Sequence, residues 1–187
     1  MRAVVVYESM YGNTHLVAAA IGEGLAMGDG LGDANEVSVV AVVAVGRADP
    51  EALAGADLIV VGGPTHAHGI SHDSTRQSAV DAVSSTENDL LLDPDAEIGD
   101  LRTWLSGIDG AGRMAAAFDT RVDIAASLSG RASKGISRKL RHHGFDEIIE
   151  PESFLVTKAT HLEPGEVDRA REWGRQLVAR VASTKVR

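Results

Sequence analysis

Ser9-Met10-Tyr11-Gly12-Asn13-Thr14 sets hydroxyl and amide side chains around one glycine, between an apolar run at Ala3–Tyr7 and a periodic segment that begins near Leu16. A turn of this kind at a helix N-terminus offers unpaired N–H groups and the positive end of the helix dipole, so its natural guest is an anion such as phosphate. Gly12 would let the backbone approach such a ligand closely. The turn contains no lysine, and neither G-x-x-x-x-G-K-[ST] nor G-x-G-x-x-G occurs there, so a nucleoside-triphosphate loop is not indicated. A phosphate held by neutral donors alone suits a monophosphate ester. The same residues equally describe a capped helix behind a tight turn.

A second group, His66-x-His68-x-x-x-His72-Asp73, follows another apolar run. Imidazoles and a carboxylate this close together can ligate zinc or iron. The pattern loosely resembles the His-x-His-x-Asp-His loop of metallo-β-lactamase-like hydrolases, but Gly69-Ile70-Ser71 stand where an Asp-His pair would follow. Further ligands would have to come from His15, His142, His143 or His161. The favoured reading is polar loop histidines that touch solvent or a ligand, with no metal site.

Several classes of chemistry are excluded. The chain has no cysteine, so disulfides, cysteine nucleophiles and cysteine-ligated clusters are ruled out. No Gly-x-Ser-x-Gly elbow occurs, since Leu128-Ser129-Gly130 lacks the first glycine. A net charge of −9 argues against phosphate backbones and anionic membranes as partners. Arg131, Lys134, Arg138, Lys139 and Arg141 read as a solvated helix face, or as partners of the acidic stretch Glu87–Asp100 within the chain or across an oligomer. Met1–Tyr7 is no signal peptide, and no run approaches the roughly 20 apolar residues of a membrane span. The expected location is the cytoplasm.

These groups need a scaffold, and the spacing supplies one. Ala3–Tyr7 and Leu58–Val61 are continuous β-branched runs, as in strands buried on both faces. Val37–Val45 predicts the second strand, Met114–Phe118 the fourth, and Phe145–Thr157 a fifth, broken one. Helices are expected from Leu16, Val17, Ala20, Ile21 and Leu25 (stopped by Gly28–Gly32), from a short segment opened by Asp49-Pro50-Glu51, over Asp100–Gly107, Arg131–His143 and Glu166–Ser183. Residues 71–99 read as an acidic loop insertion with one short helix around Gln77–Val83. With only three Phe, two Trp and two Tyr, the core must be aliphatic, and Trp104 and Trp173 read as packing residues. The alternation predicts one α/β domain over 1–187, a doubly wound five-stranded parallel sheet with helices on both faces. Ligands then bind beyond the carboxyl ends of the strands. The loops after strands one, three and four, Glu8–Thr14, Gly62–Asp73 and Asp119–Arg121, lie there.

Tyr7–Thr14 resembles the FMN phosphate loop of the flavodoxin family, and Gly62-Gly63-Pro64-Thr65-His66-Ala67-His68-Gly69 resembles its second flavin loop. Ala117–Arg121 is similar more loosely. The resemblance implies strand order 2-1-3-4-5, FMN as cofactor and electron transfer with a redox partner protein. It assigns Ser9, Met10, Tyr11, Gly12, Asn13 and Thr14 to the phosphate loop. It places Pro64, Thr65, His66, Ala67, His68 and Gly69 on one side of the flavin ring, with Asp119, Thr120 and Arg121 on the other. Ser-Met-Tyr-Gly is closer to the FMN-dependent NAD(P)H:quinone reductases, which makes an oxidoreductase the alternative, although their Gly-Thr-Gln-His-Gly-Gly segment is absent. No Trp, Tyr or Phe stands in Thr65–Asp73 or Asp119–Arg121 to sandwich a flavin, which keeps a flavin-free binding module as a further alternative. His66, His68 or Arg121 would stack instead. Arg121 beside the ring would raise the flavin's potential, and Asp119 would oppose it.

Overall fold

A computed structural model describes residues 1–28, 39–83 and 90–185. β1 (Arg2–Tyr7) lies between β2 (Val39–Ala44) and β3 (Leu58–His66), parallel to both, so that Val5 pairs with Val42 on one side and Val60 on the other. β3 continues parallel to β5 (Met114–Val122), with Gly62 opposite Phe118. A two-residue strand, β4 (Gly69–Ile70), folds back antiparallel on the end of β3.

The fifth position is shared. β6 (Asp146–Glu147) pairs with the start of β5, and β7 (Glu152–Val156) pairs with its end. Pro151 stands between them and brings no N–H donor. The expected 2-1-3-4-5 order with a broken fifth strand is therefore present, and β4 is an added hairpin arm.

Alternation along the strands builds two cores. Ala3, Val5, Tyr7, Leu58 and Val60 face α1 (Asn13–Met27) and α6 (Glu166–Lys185), while Val4, Val6, Ile59 and Val61 face α3 (Leu101–Gly107) and α5 (Ala132–His142). Trp173 completes the first core, edge-on to Phe118 and Phe154. Trp104 is half-buried beside the second and donates its indole N–H to Ala48 O at 2.7 Å. α1 and α6 cross at glycines: a Cβ on Gly24 would sit 1.9 Å from Arg171 O, and one on Gly174 2.4 Å from Ile21 O.

Three expectations need correction. Leu16 is 56% exposed because it lies on the outer side of α1, opposite Val17 and Ile21. The short helix expected after Asp49 is a set of tight turns, held by Asp49 Oδ1 accepting from Ala52 N. α2 (Asp73–Val83) starts four residues before the expected helix, because Thr75 closes its first turn onto His72 and its polar residues leave only Ala79 buried to mark a face. The stop signals Gly30 and Gly32, the first residues of the second apolar run and the acids Glu87 and Asp89 lie outside the described residues.

Candidate functional site

At the carboxyl edge of the sheet, four loops surround a cavity of about 230 Å³. Met10, Tyr11, Asn13 and Thr14 come from the loop after β1 and the start of α1. Pro64, Thr65 and His66 come from the end of β3, Thr120, Arg121 and Val122 from the end of β5, and Val156, Thr157, Lys158 and Thr160 from the end of β7 and the loop beyond.

Gly12 turns the chain into α1 with φ 85, the left-handed region where a side chain is costly. Ser9 is buried and braces this turn, its hydroxyl accepting from Gly12 N at 3.1 Å. No side chain caps α1, and its first turn holds no acid. Its leading N–H groups thus remain available to an anion. Thr14 and Thr120 join hydroxyls at 2.8 Å across the floor. Asn13 donates to Thr160 O at 2.8 Å, drawing the loop after β7 against the helix start. That loop is a tight turn, with Thr157 N donating to His161 O at 2.7 Å.

Met10 and Tyr11 also anchor the 71–99 segment. The Tyr11 hydroxyl donates to Ala79 O at 3.0 Å, Met10 packs on Ala79 and Ala96, and Met10 O accepts from Asp93 N. Burial pushes the Tyr11 phenol above its ordinary value. Glu8, one residue earlier, is a buried brace. Its carboxylate accepts from the Ser71 hydroxyl and, at 2.7 Å, from Leu101 N at the start of α3. Sequence reasoning left Glu8 as part of a polar turn.

Asp119 and Thr65 meet the N-terminus of α5. Asp119, fully buried, accepts from Ser133 N at 2.7 Å, and the Thr65 hydroxyl accepts from Ala132 N at 2.8 Å. Asp119 thus caps a helix and does not line the cavity, although Thr65 does both. Arg121 lines the cavity, and its guanidinium donates to Ile124 O at 2.7 Å and to Val122 O, bracing the loop after β5.

Ala67 and His68 form the tip of the β3–β4 hairpin with φ 44 and 74, a two-residue turn that normally recruits Asn-Gly. Gly130 holds the tip in place, since a Cβ there would lie 2.3 Å from His68 Cα. Ala67, His68 and Gly69 therefore stand beyond the cavity wall, and only His66 faces into it. Burial holds the His66 imidazole below its ordinary 6.5, with Arg76 adding and Glu8 opposing. A histidine kept neutral in the fold loses ground to the unfolded chain as that chain takes up its proton. Stability should therefore fall as pH drops below about 6.5, at no more than ~1.4 kcal/mol per pH unit. His66→Gln should flatten that part of a denaturant-midpoint against pH curve.

The three loop histidines part company. His72 meets Arg102 at 3.3 Å, while His15 stacks on Tyr7 at 4.6 Å and pairs with Asp93 at 3.1 Å. Among the described residues no three His, Cys, Asp or Glu are grouped as a metal ion requires.

Sequence reasoning missed Thr157, Lys158 and Thr160. The signal was topological, since the loop after the fifth strand opens on the same edge as the other three. It brings Lys158 to a cavity whose first loop offers no cation. β7 is held for this by Glu166, which accepts from Leu155 N at 2.6 Å and is gripped by Arg169. Burial pushes the Glu166 carboxyl up, but these bonds and the Arg169 charge bring it below its ordinary value.

No protein-family model matches the sequence, and no curated protein matches it either. Solved structures do. A flavodoxin from the domain Archaea superposes with a TM-score of 0.63 at 21% identity, covering 97% of this chain and 99% of that one. Flavodoxin 1 from Bacillus cereus gives 0.61 at 19%, covering 96% and 98%. A WrbA-like flavodoxin protein from Agrobacterium tumefaciens gives 0.58 at 20%, covering 95% of each. Strand order, the helices on both faces and these superpositions agree: the chain has the flavodoxin-like fold.

Proposed function

We propose that the cavity binds FMN and that the protein carries electrons between partner proteins. The observation that carries this reading is the uncapped start of α1 opening into a cavity that also presents Lys158 and Arg121. Open N–H groups, hydroxyls and two cations suit a phosphate monoester. The cavity is smaller than the ~300–1,000 Å³ usual for cofactor clefts. It would hold the phosphorylated end of the cofactor, and His66 and Val156 would flank the ring. Bound FMN supplies one- and two-electron redox chemistry. The residues supply the holding groups: Asn13, Thr14 and the α1 N–H groups at the phosphate, Lys158 as a counter-charge, Pro64, Thr65 and His66 on one wall and Thr120, Arg121 and Val122 on the other. The fold's likeness to flavodoxins supports the same reading.

The test is the visible spectrum of the purified protein after FMN addition and desalting. Retained oxidised-flavin bands support it, and a colourless protein overturns it. Oxidation of NAD(P)H without any partner protein would instead place the chain among the reductases. Arg121 tunes the bound flavin, because a positive charge favours the more anionic reduced form. Arg121→Gln should lower the midpoint potential by roughly 40 mV, the one-electron equivalent of the ~1 kcal/mol that a charge about 4 Å away exerts when screened as in water. Arg121→Lys should restore most of it, since it keeps the charge while losing the fork that braces the loop. Spectroelectrochemical titration reads both.

A further inference from the structure

Between Ile124 and Phe145 the chain has five Lys or Arg and no Asp or Glu, so the net charge of −9 divides into +5 here and −14 elsewhere. Most of the five fall on α5, whose apolar side (Ala132, Ile136, Leu140) is spent in the core. Lys134, Arg138, Arg141 and His142 are exposed, at a spacing that lines one helix face.

Among the described residues most of this face is left unmatched. On α6, by contrast, Arg169, Arg171 and Arg175 each meet a carboxylate. On α5 the ion pair is Arg141 with Glu147 at 3.3 Å, and among the described residues Lys134, Arg138 and Lys139 have no carboxylate partner. Of the described acids in the 90–100 stretch, Asp93 pairs with His15, Asp95 pairs with Arg47 and Asp100 caps α3, while Glu97 makes no ion pair with α5. Like charges three and four residues apart repel by ~0.2–0.5 kcal/mol per pair in the free protein. An opposing acidic surface would relieve that repulsion.

We infer that this face of α5 is a docking surface for a small acidic electron-carrier protein. The stripe begins at the candidate site, because the α5 N-terminus is bonded to Thr65 in β3, which lines the cavity, and to Asp119 in β5. A partner seated on it lies beside the cavity. The eleven residues of α5 span about 16 Å, the scale of a compact protein patch. A long polyanion would overrun the stripe onto the −14 remainder and be repelled. A bilayer would need an apolar face that α5 has already buried. The partner's class rests on the flavin reading; the docking surface does not.

The probe is a fluorescently labelled plant-type [2Fe–2S] ferredoxin, a small acidic carrier, titrated by anisotropy at about 20 mM ionic strength. Binding should weaken at least tenfold in Lys134→Glu/Arg138→Glu and at about 300 mM salt, where charges beyond a few ångströms are screened. It should stay within twofold in Arg175→Glu, a reversal on α6. Absence of binding, or equal binding by the double variant, overturns the proposal. Tighter binding of a twenty-residue oligothymidylate, or of phosphatidylserine vesicles, with the same charge dependence also overturns it. Both changed residues are exposed, and thermal melting confirms the fold. A protein that binds ferredoxin through α5 yet retains no FMN keeps the docking surface and removes the flavin reading. One that retains FMN yet ignores the reversal does the opposite.

Discussion

Gly12→Asp should lose retained flavin while remaining at least as stable as Gly12→Asn. The two side chains are nearly isosteric and both tolerate the left-handed backbone, so each carries the same cost, ~1–2 kcal/mol at φ 85. Neither meets a clash, since nothing lies within 4 Å of a Cβ at this position. They differ in one negative charge at the start of α1. For the helix that charge is favourable, by ~0.3–1 kcal/mol. For a phosphate on the same N–H groups it is repulsive, by up to ~4 kcal/mol at about 4 Å and an effective dielectric near 20. FMN affinity should therefore fall at least ~100-fold in Gly12→Asp, the equivalent of ~2.7 kcal/mol, and only a few-fold in Gly12→Asn. Quenching of FMN fluorescence measures affinity, and thermal unfolding of the flavin-free proteins measures stability. A shared loss of both would make Gly12 a folding residue only. Divergence of the two marks an anion site.

The second large effect lies away from the cavity. Gly24→Ala drives a methyl group to 1.9 Å from Arg171 O, against backbone that cannot swing aside, so α1 and α6 must separate. Overpacking of this kind costs ~1–3 kcal/mol and occasionally more. In a chain of this size that lowers Tm by roughly 2–12 °C. Gly174→Ala, at 2.4 Å from Ile21 O, should act similarly. Gly107→Ala, with open space around it, should leave Tm within about 2 °C. Calorimetry on the three proteins separates helix crossing from a general intolerance of substituted glycines.

How far the sequence could be read depended on the range of the interaction. Val4–Val6 and Ile59–Val61 announce strands buried on both faces because every residue of each run meets a helix layer. The strand order then follows from the alternation. The turn at Ser9–Thr14 was visible since all its parts lie within six residues. Lys158 was not, for it reaches the cavity through β7 and a tight turn, tied to Asn13 by one hydrogen bond across the fold. Asp119 stood at the expected strand end, yet its carboxylate turned to the α5 N-terminus, an alternative use that spacing alone does not reveal. Glu8 was passed over for the same reason, since Ser71 and Leu101 are distant in sequence. Leu16 shows the opposite failure: its periodicity fitted a buried face, but the helix had apolar residues to spare.

The division of the fifth position between β6 and β7 has a consequence for behaviour in concentrated solution. An outermost strand presents unpaired N–H and C=O groups that can recruit the same strand of a neighbouring chain. Here that border is interrupted by Pro151, and its first piece is two residues long with Asp146 and Glu147. The second piece, β7, has its outer groups occupied: Leu155 N donates to Glu166, Leu155 O accepts from Glu163 N, and Ser153 O accepts from Arg169. The break that lets β7 carry Lys158 to the cavity therefore also protects this border against fibrillar aggregation.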